Sequence, residues 1–390
     1  MPWKESVIMD ERMKFIGRLL QGEKMSEICR EFGISRKTGY KFWQRYKDIG
    51  LHGLTDRARR PIRYANQLPI QLKKEILRIK QDKPSWGAPK IREIIKRKYP
   101  EVKTPARSTI HCILDKHGLV KRRKRRRFKA QGTLLSTTYT PNDLWCADYK
   151  GEFMLANKRY CYPLTITDFA SRFLLTCEGL ENNSEKYAFS IFEQTFQKYG
   201  LPKTIRTDNG VPFSSPCALF GLSKLSVWWL RLGICIERIK PGNPQQNGRH
   251  ERMHLTLKKE ATKPPGINLL QQQEKFDSFI EEFNTQRPHQ ALDMKYPNEL
   301  YRYSTRPYKG IQELNYPFHD RTVTVTNCGR LCFKKKKINL SRALAGQDVG
   351  IKEVSDGIWL VTFMDYDLGF FDLENRKLEP LEYPFAPEVV

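Results

Sequence analysis

Seven consecutive cations, KRRKRRR at residues 121–127, constrain this chain more than any other feature. Like charges in a row repel one another in any compact structure unless phosphates neutralise them. Lys121, Arg122, Arg123, Lys124, Arg125, Arg126 and Arg127 therefore read as a linker that contacts a polyanion, with a merely solvated tail as the plainer alternative. What folds before the run is separate from what folds after it. Helical spacing dominates ahead of it, and strand-like stretches begin at residue 141.

The whole chain shares the bias. Its 390 residues hold 69 Lys plus Arg against 43 Asp plus Glu, a formal net charge of +26, and the pI is near 9.7. Such a balance points to a polyanionic partner, with nucleic acid the leading candidate. A membrane surface is the other polyanion, but mean hydropathy is −0.62 and no run of about eighteen uncharged apolar residues occurs. Even Leu222 to Leu232 is broken by Lys224 and Arg231. The start MPWKESVIMDERMK lacks an apolar signal-peptide core, and the nine cysteines are odd in number and scattered. The expectation is a reducing, bacterial cytoplasmic setting, associated with the nucleoid. Cys328 and Cys332 in CGRLC have no second pair or histidine nearby and read as ordinary cysteines.

Residues 10 to 50 are spaced for three short helices. Met13, Ile16 and Leu20 mark one face, Ile28 and Phe32 a second, and Phe42, Trp43 and Tyr46 a third. FGISRKT supplies a turn at Gly33 and an N-cap at Ser35. This is a helix-turn-helix pattern that leaves Ser35, Arg36, Lys37, Thr38, Lys41 and Arg45 for a major groove, or simply for solvent. GLTDRARRP, residues 53 to 61, breaks the periodicity and reads as a linker whose Arg59 and Arg60 can lie along a minor groove. Residues 1–66 form the first expected domain. Residues 67–137 form a second helix-turn-helix-like unit with the basic linker: Leu72, Ile76 and Ile79, then Ile91, Ile94 and Ile95, then Ile110, Ile113 and Leu114, with Ser108 able to cap the last helix.

From 138 to 305 strands and helices alternate. LWCADYKGEF, RYCYPLTITDF and RFLLTCEGL are strand-like. A helix around SEKYAFSIFEQTFQKYG follows, then strand TIRTD, helix SKLSVWWLRLG, strand ICIERI and the helix beginning NGRHERMH. The order βββαβαβα is that of an RNase H-like α/β catalytic core. Residues 306–390 carry short, turn-separated apolar patches, TVTVT, RLCF, DVGIKEV, IWLVTFM, LGFFDL and RKLEPL, and are expected to form a small β-barrel.

Three acids fall where such a fold can gather them: Asp148 in the first strand, Asp208 directly after TIRT, and Glu251 opening the last helix. Phosphodiester chemistry is served by two divalent cations about 4 Å apart, and hard ions such as Mg²⁺ or Mn²⁺ prefer carboxylate oxygen. Each acid has a blander reading. Asp208 alone is an ordinary turn former, whereas Asp148, between Ala147 and Tyr149 in an apolar strand, is costly to bury unless paired or metal-bound. Asp168, the rival to Asp148, ends its strand and can cap the turn into Ser171.

TDNGVPF (207–213), PGNPQQNGRHERMHLTLKKE (241–260) and NTQRPHQAL (284–292) closely resemble the DDE transposases and integrases of the IS481 type, relatives of retroviral integrase. The resemblance takes in about three quarters of the chain, and the motifs are specific jointly rather than singly. It implies that Asp148, Asp208 and Glu251 are the metal-binding catalytic acids, that Asn209 and Gly210 form the turn after the second acid, and that Gln245, Asn247 and Gly248 belong to the loop before the third. Asn209, Gln245, Asn247, His254 and Lys258 are then expected at DNA. It implies a transposase that cuts at terminal repeats and joins the ends to target DNA, as at least a dimer on double-stranded DNA, with two Mg²⁺ or Mn²⁺ ions. The step of 43 residues from Asp208 to Glu251 is longer than in retroviral integrases, the extra length lying around SSPCALFGLSKLSVWW.

HERMH also has the HExxH form of a zinc hydrolase, with His250 and His254 one helical turn apart and Glu251 as base. The extended zincin pattern fails, since Leu257 and Glu260 stand at its Gly and His positions. A third reading from another class is a DNA-binding regulator derived from a transposase. Three clustered carboxylates, which repel phosphate, argue against it.

Overall fold

A turn that only glycine takes easily sets the geometry of the N-terminal helices. The computed structural model describes residues 8–56, 68–120, 135–215, 218–240, 244–374 and 377–381. These fall in two compact units, Met1–Ile70 and Gln71–Val390. In the first, α1 (Ile8–Leu20), α2 (Met25–Glu31) and α3 (Arg36–Ile49) follow the expected spacing. Gly33 takes φ +64 between α2 and α3, and the Ser35 side chain caps α3 by accepting from the Thr38 N–H. Phe15, Ile16, Ile28, Cys29 and Leu54 form the core. Leu54 is fully buried, in a short 3₁₀ turn over Gly50–Leu54, so the first residues of the expected linker instead close the domain. The cause is tertiary: Arg12 donates to the Leu54 carbonyl at 2.7 Å and pairs with Asp56.

In the second unit, α4 (Ile70–Asp82), α5 (Ala88–Lys98) and α6 (Arg107–Lys116) bury the predicted isoleucine faces, with Ile94 only half-buried. The last of these begins after Ala106, without a side-chain cap. Ser108 lies inside the first turn rather than at its cap.

The central sheet follows from strand parity. β1 (Leu144–Tyr149) pairs antiparallel with β3 (Tyr160–Asp168) and parallel with β5 (Thr204–Thr207). β4 (Leu174–Leu180) adds to the far side of β3, and β6 (Cys235–Arg238) to the far side of β5. The order β4-β3-β1-β5-β6, with β3 alone reversed against its neighbours, is the expected RNase H-like one. Instead of running as one strand, LWCADYKGEF breaks at Gly151, φ +84, and resumes as β2 (Phe153–Met154) on β3. Trp145 and Ala147 of β1 and Leu164 and Ile166 of β3 face α7 (Glu185–Tyr199) and α8 (Lys224–Arg231) in one core. The opposite side is covered by α9 (Gly248–Glu260) and α10 (Leu269–Thr285), whose Met253, Leu257, Phe276, Phe279 and Phe283 pack on Cys161, Leu174 and Cys177. Full burial of each large apolar side chain contributes roughly 1.5–3 kcal/mol.

After α11 (Pro297–Leu300) come β7 (Arg321–Thr324), β8 (Arg330–Phe333), β9 (Lys336–Asn339), β10 (Asp348–Ser355), β11 (Ile358–Phe363), β12 (Tyr366–Asp372) and β13 (Leu378–Pro380). They form an antiparallel sheet in the order β13-β12-β11-β10-β7 and a separate hairpin β8-β9. Among the described residues the edge strands β13 and β7 do not pair, so the expected closed barrel is here an open sheet. Its apolar face is covered by the hairpin, Phe333 meeting Trp359 edge-on with centroids 4.7 Å apart, and its core continues into that of α8.

Candidate active site

Side chains alternate along a strand, so residues paired across the ladder share a face. Trp145 and Ala147 point to α7, which sends Cys146 and Asp148 to α9. Their partners in register, Thr167 and Thr165, follow them, as does Arg206 of β5, opposite Cys146. Asp208, two residues beyond Arg206, leaves the end of β5, and α9 brings Glu251 from above. Three carboxylates from three elements thus lie around one end of the sheet.

Their charges act on one another. The Asp148 carboxyl is pushed up to about 7, first by burial, then by the negative charge of Asp208, and to a smaller extent by that of Glu251; the Tyr149 N–H and the Lys150 charge oppose this. A carboxylate raised by its neighbours and bonded to no cation is a charge deficit that a divalent ion would fill. The donor set therefore fits a hard metal, held by Asp148, Asp208 and Glu251.

Behind Asp148 lies a network that sequence reading missed. The Thr165 hydroxyl donates to the Asp148 carbonyl at 3.0 Å and meets Nε2 of both His250 (2.8 Å) and His254 (2.7 Å), while Thr167 Oγ1 meets His250 Nδ1 at 2.8 Å. With the single hydroxyl proton given to the carbonyl, both imidazoles present Nε2–H to Thr165. His254 then turns its bare Nδ1 toward Asp148 Oδ2, 3.8 Å away. Burial drives both rings neutral, His254 down to about 3 and His250 well below the usual histidine range. Asp148, His250 and His254 have donor atoms within 4.8 Å of one another. Three of the four imidazole nitrogens are nevertheless engaged by threonine, so the HERMH histidines act as struts between α9 and the sheet. His254, expected at DNA, is 8 % exposed and faces Thr165 instead.

Other expected residues divide as follows. Asp208 Oδ1 accepts from the Gly210 N–H at 3.1 Å, and the Asn209 amide donates to the Ile239 carbonyl at 2.6 Å, tying this turn to the end of β6. Asn247 is buried, and its Oδ1 has no partner. Lys258 is exposed, near enough to Lys150 to lower that lysine's pKa. Arg36, Lys37 and Lys41 are exposed on α3, with Thr38 and Arg45 half-buried beside them. Arg59, Arg60, the run 121–127 and the Gln245 side chain lie outside the described residues. Asp168 is a turn cap, 1 % exposed, its Oδ2 accepting from both the N–H (2.8 Å) and the hydroxyl (2.6 Å) of Ser171.

Sequence reading also missed a buried ion pair. Arg206 and Glu237, paired in register across β5 and β6, meet at 2.7 Å with side chains 2 % and 5 % exposed. Together they clamp Ser136, whose N–H and carbonyl bond to Glu237 and Arg206. Opposite charges in adjacent apolar strands, TIRT and CIER, were the available signal.

Comparison with known proteins gives matches along the same segments. Integrase core domain families match residues 138–244 and 232–297, a helix-turn-helix domain family matches 11–62, and a homeodomain-like family matches 38–114. The chain is 26 % identical over 197 residues to the insertion element IS407 uncharacterized 31.7 kDa protein of Burkholderia multivorans, covering 49 % of this chain and 67 % of that one. It is 25 % identical over 223 residues to the insertion element IS476 uncharacterized 39.2 kDa protein of Xanthomonas euvesicatoria, covering 56 % and 61 %. The match thus spans about three fifths of that second relative. Among solved structures, the HTLV-2 integrase catalytic core domain in complex with magnesium is similar at a TM-score of 0.33 and 18 % identity, over 42 % of this chain and 98 % of that chain. No helix among the described residues is long and apolar enough to cross a membrane.

Proposed function

Since the chain belongs to the integrase-core family of transposases and integrases, we propose that it is a DNA transposase. In this reading it cuts phosphodiesters at the ends of its own element and joins the freed 3′ hydroxyls to target DNA, with Asp148, Asp208 and Glu251 as the catalytic acids. The observation that carries the reading is the raised Asp148 carboxyl, displaced by the charges of the other two acids. Two Mg²⁺ or Mn²⁺ ions, when bound by these acids, would supply charge neutralisation at the attacking and leaving oxygens.

The chain's own residues do the positioning. Thr165 fixes the β1 backbone at Asp148, His250 and His254 lock the Glu251 helix onto β3, and the Gly210 N–H orients the Asp208 carboxylate. Substrate alignment of this kind is worth several kcal/mol of barrier. The helix from Arg36 to Arg45 reads the terminal repeats, and two protomers pair the two ends. We keep the boundaries 1–66, 67–137, 138–305 and 306–390 as the functional division.

A zinc hydrolase is the one rival with an observation behind it, the Asp148–His250–His254 grouping. It would require His250 and His254 to abandon Thr165 and Thr167. The deciding experiment incubates labelled duplexes of the repeats flanking the gene with Mg²⁺ and either wild-type protein or Glu251→Gln. The proposal expects nicking and joining by wild type alone, with both proteins binding the ends. Wild type that binds but never cuts would make this a regulator.

A further inference from the structure

The face of α9 turned away from Glu251 borders a cleft of about 860 Å³ whose charge the acid site does not explain. Six cations line it: Lys90 from α5, Arg172 from the β3–β4 turn, Arg249, Arg252 and Lys259 from α9, and Arg287 after α10. Arg287 pairs with Glu260 at 2.6 Å, and Arg249 donates to the Phe169 carbonyl at 2.9 Å while covering its ring. The side chains of Lys90, Arg172, Arg252 and Lys259 make no hydrogen bond or ion pair among the described residues. Asp168 is the acid in the lining, and its oxygens are taken by Ser171 and the Asn142 N–H.

The floor is arranged as though it were waiting for negative charge. Arg172 adopts φ +60, a backbone conformation that side-chain-bearing residues rarely take, and its buried Nε has no partner. Nε2 of His289, in the same lining, is also buried without a partner. The cations strain one another: burial and then Arg287 lower Lys90 to about 8, and burial, then Arg249 and Arg252, lower Arg172. Such a cluster is costly alone and favourable around an anion with several charges.

We propose that this cleft is a second phosphate-binding site, which takes the sugar–phosphate backbone of a DNA strand continuing past the acidic site. The assignment rests on the transposase reading for the identity of the strand. Placement favours DNA over a free phosphate compound. At about 100° per residue, Glu251, Leu255, Lys259, Arg252 and Arg249 follow one another around α9, so acid site and cleft are separated by no more than a helix width of about 10 Å. Leu255, 60 % exposed, stands on the ridge between them, where an apolar side chain can press against a base.

The test uses the full chain carrying Arg172→Gln and Arg252→Gln together. It measures fluorescence anisotropy on a labelled duplex of the flanking repeats across a salt series, with Ca²⁺ in place of Mg²⁺, alongside thermal melting with and without millimolar pyrophosphate. The double variant should bind at least tenfold more weakly, with the slope of log affinity against log salt flattened by about two, one per lost phosphate contact. Its melting temperature without ligand should be unchanged or higher, because repulsion has been removed, so weak binding cannot be laid to misfolding. Unchanged affinity and slope would overturn the proposal. If DNA binding is unchanged while pyrophosphate raises the melting temperature of wild type only, DNA is overturned as the occupant. Should wild type not bind the duplex at all, the transposase reading fails by itself. Pyrophosphate stabilisation lost in the double variant would then still support a phosphate site, and its absence would overturn that as well.

Discussion

Thr165 stands directly opposite Asp148 in the β1–β3 ladder, and its hydroxyl reaches the Asp148 carbonyl at 3.0 Å. Through the same oxygen it meets both histidines of the helix that carries Glu251. One hydroxyl therefore sets the spacing between the first and third acids.

Thr165→Val keeps the shape and removes the oxygen, leaving two buried imidazole N–H groups without an acceptor. Each such orphan costs about 1–3 kcal/mol, so chemical denaturation should show a loss of about 2–4 kcal/mol. The cleavage rate should fall further than DNA affinity, and Thr165→Ser should restore both. A valine variant with normal cleavage would mean that the network does not position the acids.

Asp148 makes stability depend on pH in a recognisable direction. Its folded pKa of about 7 lies above its ordinary value of 3.8, so between these values the folded state holds the proton more tightly. Stability from this group is therefore lost as pH rises from about 4 to 7. Asp148→Asn should raise the stability of the metal-free protein by about 2–4 kcal/mol at pH 8 and change little at pH 4, read as melting curves at the two pH values. The neutral histidines work the other way: their stability is present above pH 6.5 and is lost below it. The comparison between wild type and Asp148→Asn isolates the carboxylate.

His254 Nδ1 faces the Asp148 carboxylate with its lone pair free. Nitrogen donors favour Mn²⁺ over Mg²⁺. Titration calorimetry should find Mn²⁺ bound more tightly than Mg²⁺, with the margin narrowed in His254→Ala. An unchanged margin would remove His254 from the metal's surroundings.

Gly39 lies in α3 where it crosses α2, and a Cβ there would sit 2.5 Å from the Cys29 sulfur and 2.9 Å from that of Met25. Alanine improves helix propensity by about 1 kcal/mol, but overpacking costs about 1–3 kcal/mol. Gly39→Ala should therefore lower the melting temperature of an isolated 1–70 fragment and its DNA affinity together. A higher melting temperature would show that α2 yields freely.

Much of this was legible in advance because local pattern and fold agree. The Ser35 cap, the Gly33 turn and the isoleucine faces of α4 to α6 are each written within a few residues. The three acids were found from motif and strand position. What escaped depends on register. Thr165 and Thr167 look like ordinary strand formers until β1 is laid against β3, and Arg206 and Glu237 become a pair only when β5 meets β6. The phosphate cleft draws on α5, a strand turn, α9 and the chain after α10, which no single stretch reveals. β9 was hidden in KKKKIN because its lysines point outward while Ile338 is buried. Barrel closure was overread, since alternation specifies one covered face and says nothing about how edge strands end.

The central claim is that carboxylates from β1, the end of β5 and α9 form one divalent-cation site. Electron paramagnetic resonance of Mn²⁺ titrated into wild type, Asp148→Asn, Asp208→Asn and Glu251→Gln tests it without relying on catalysis. Each single change should weaken Mn²⁺ binding at least tenfold while the melting temperature of the metal-free protein holds or rises. Full Mn²⁺ affinity in any one of the three variants would contradict the site as built here.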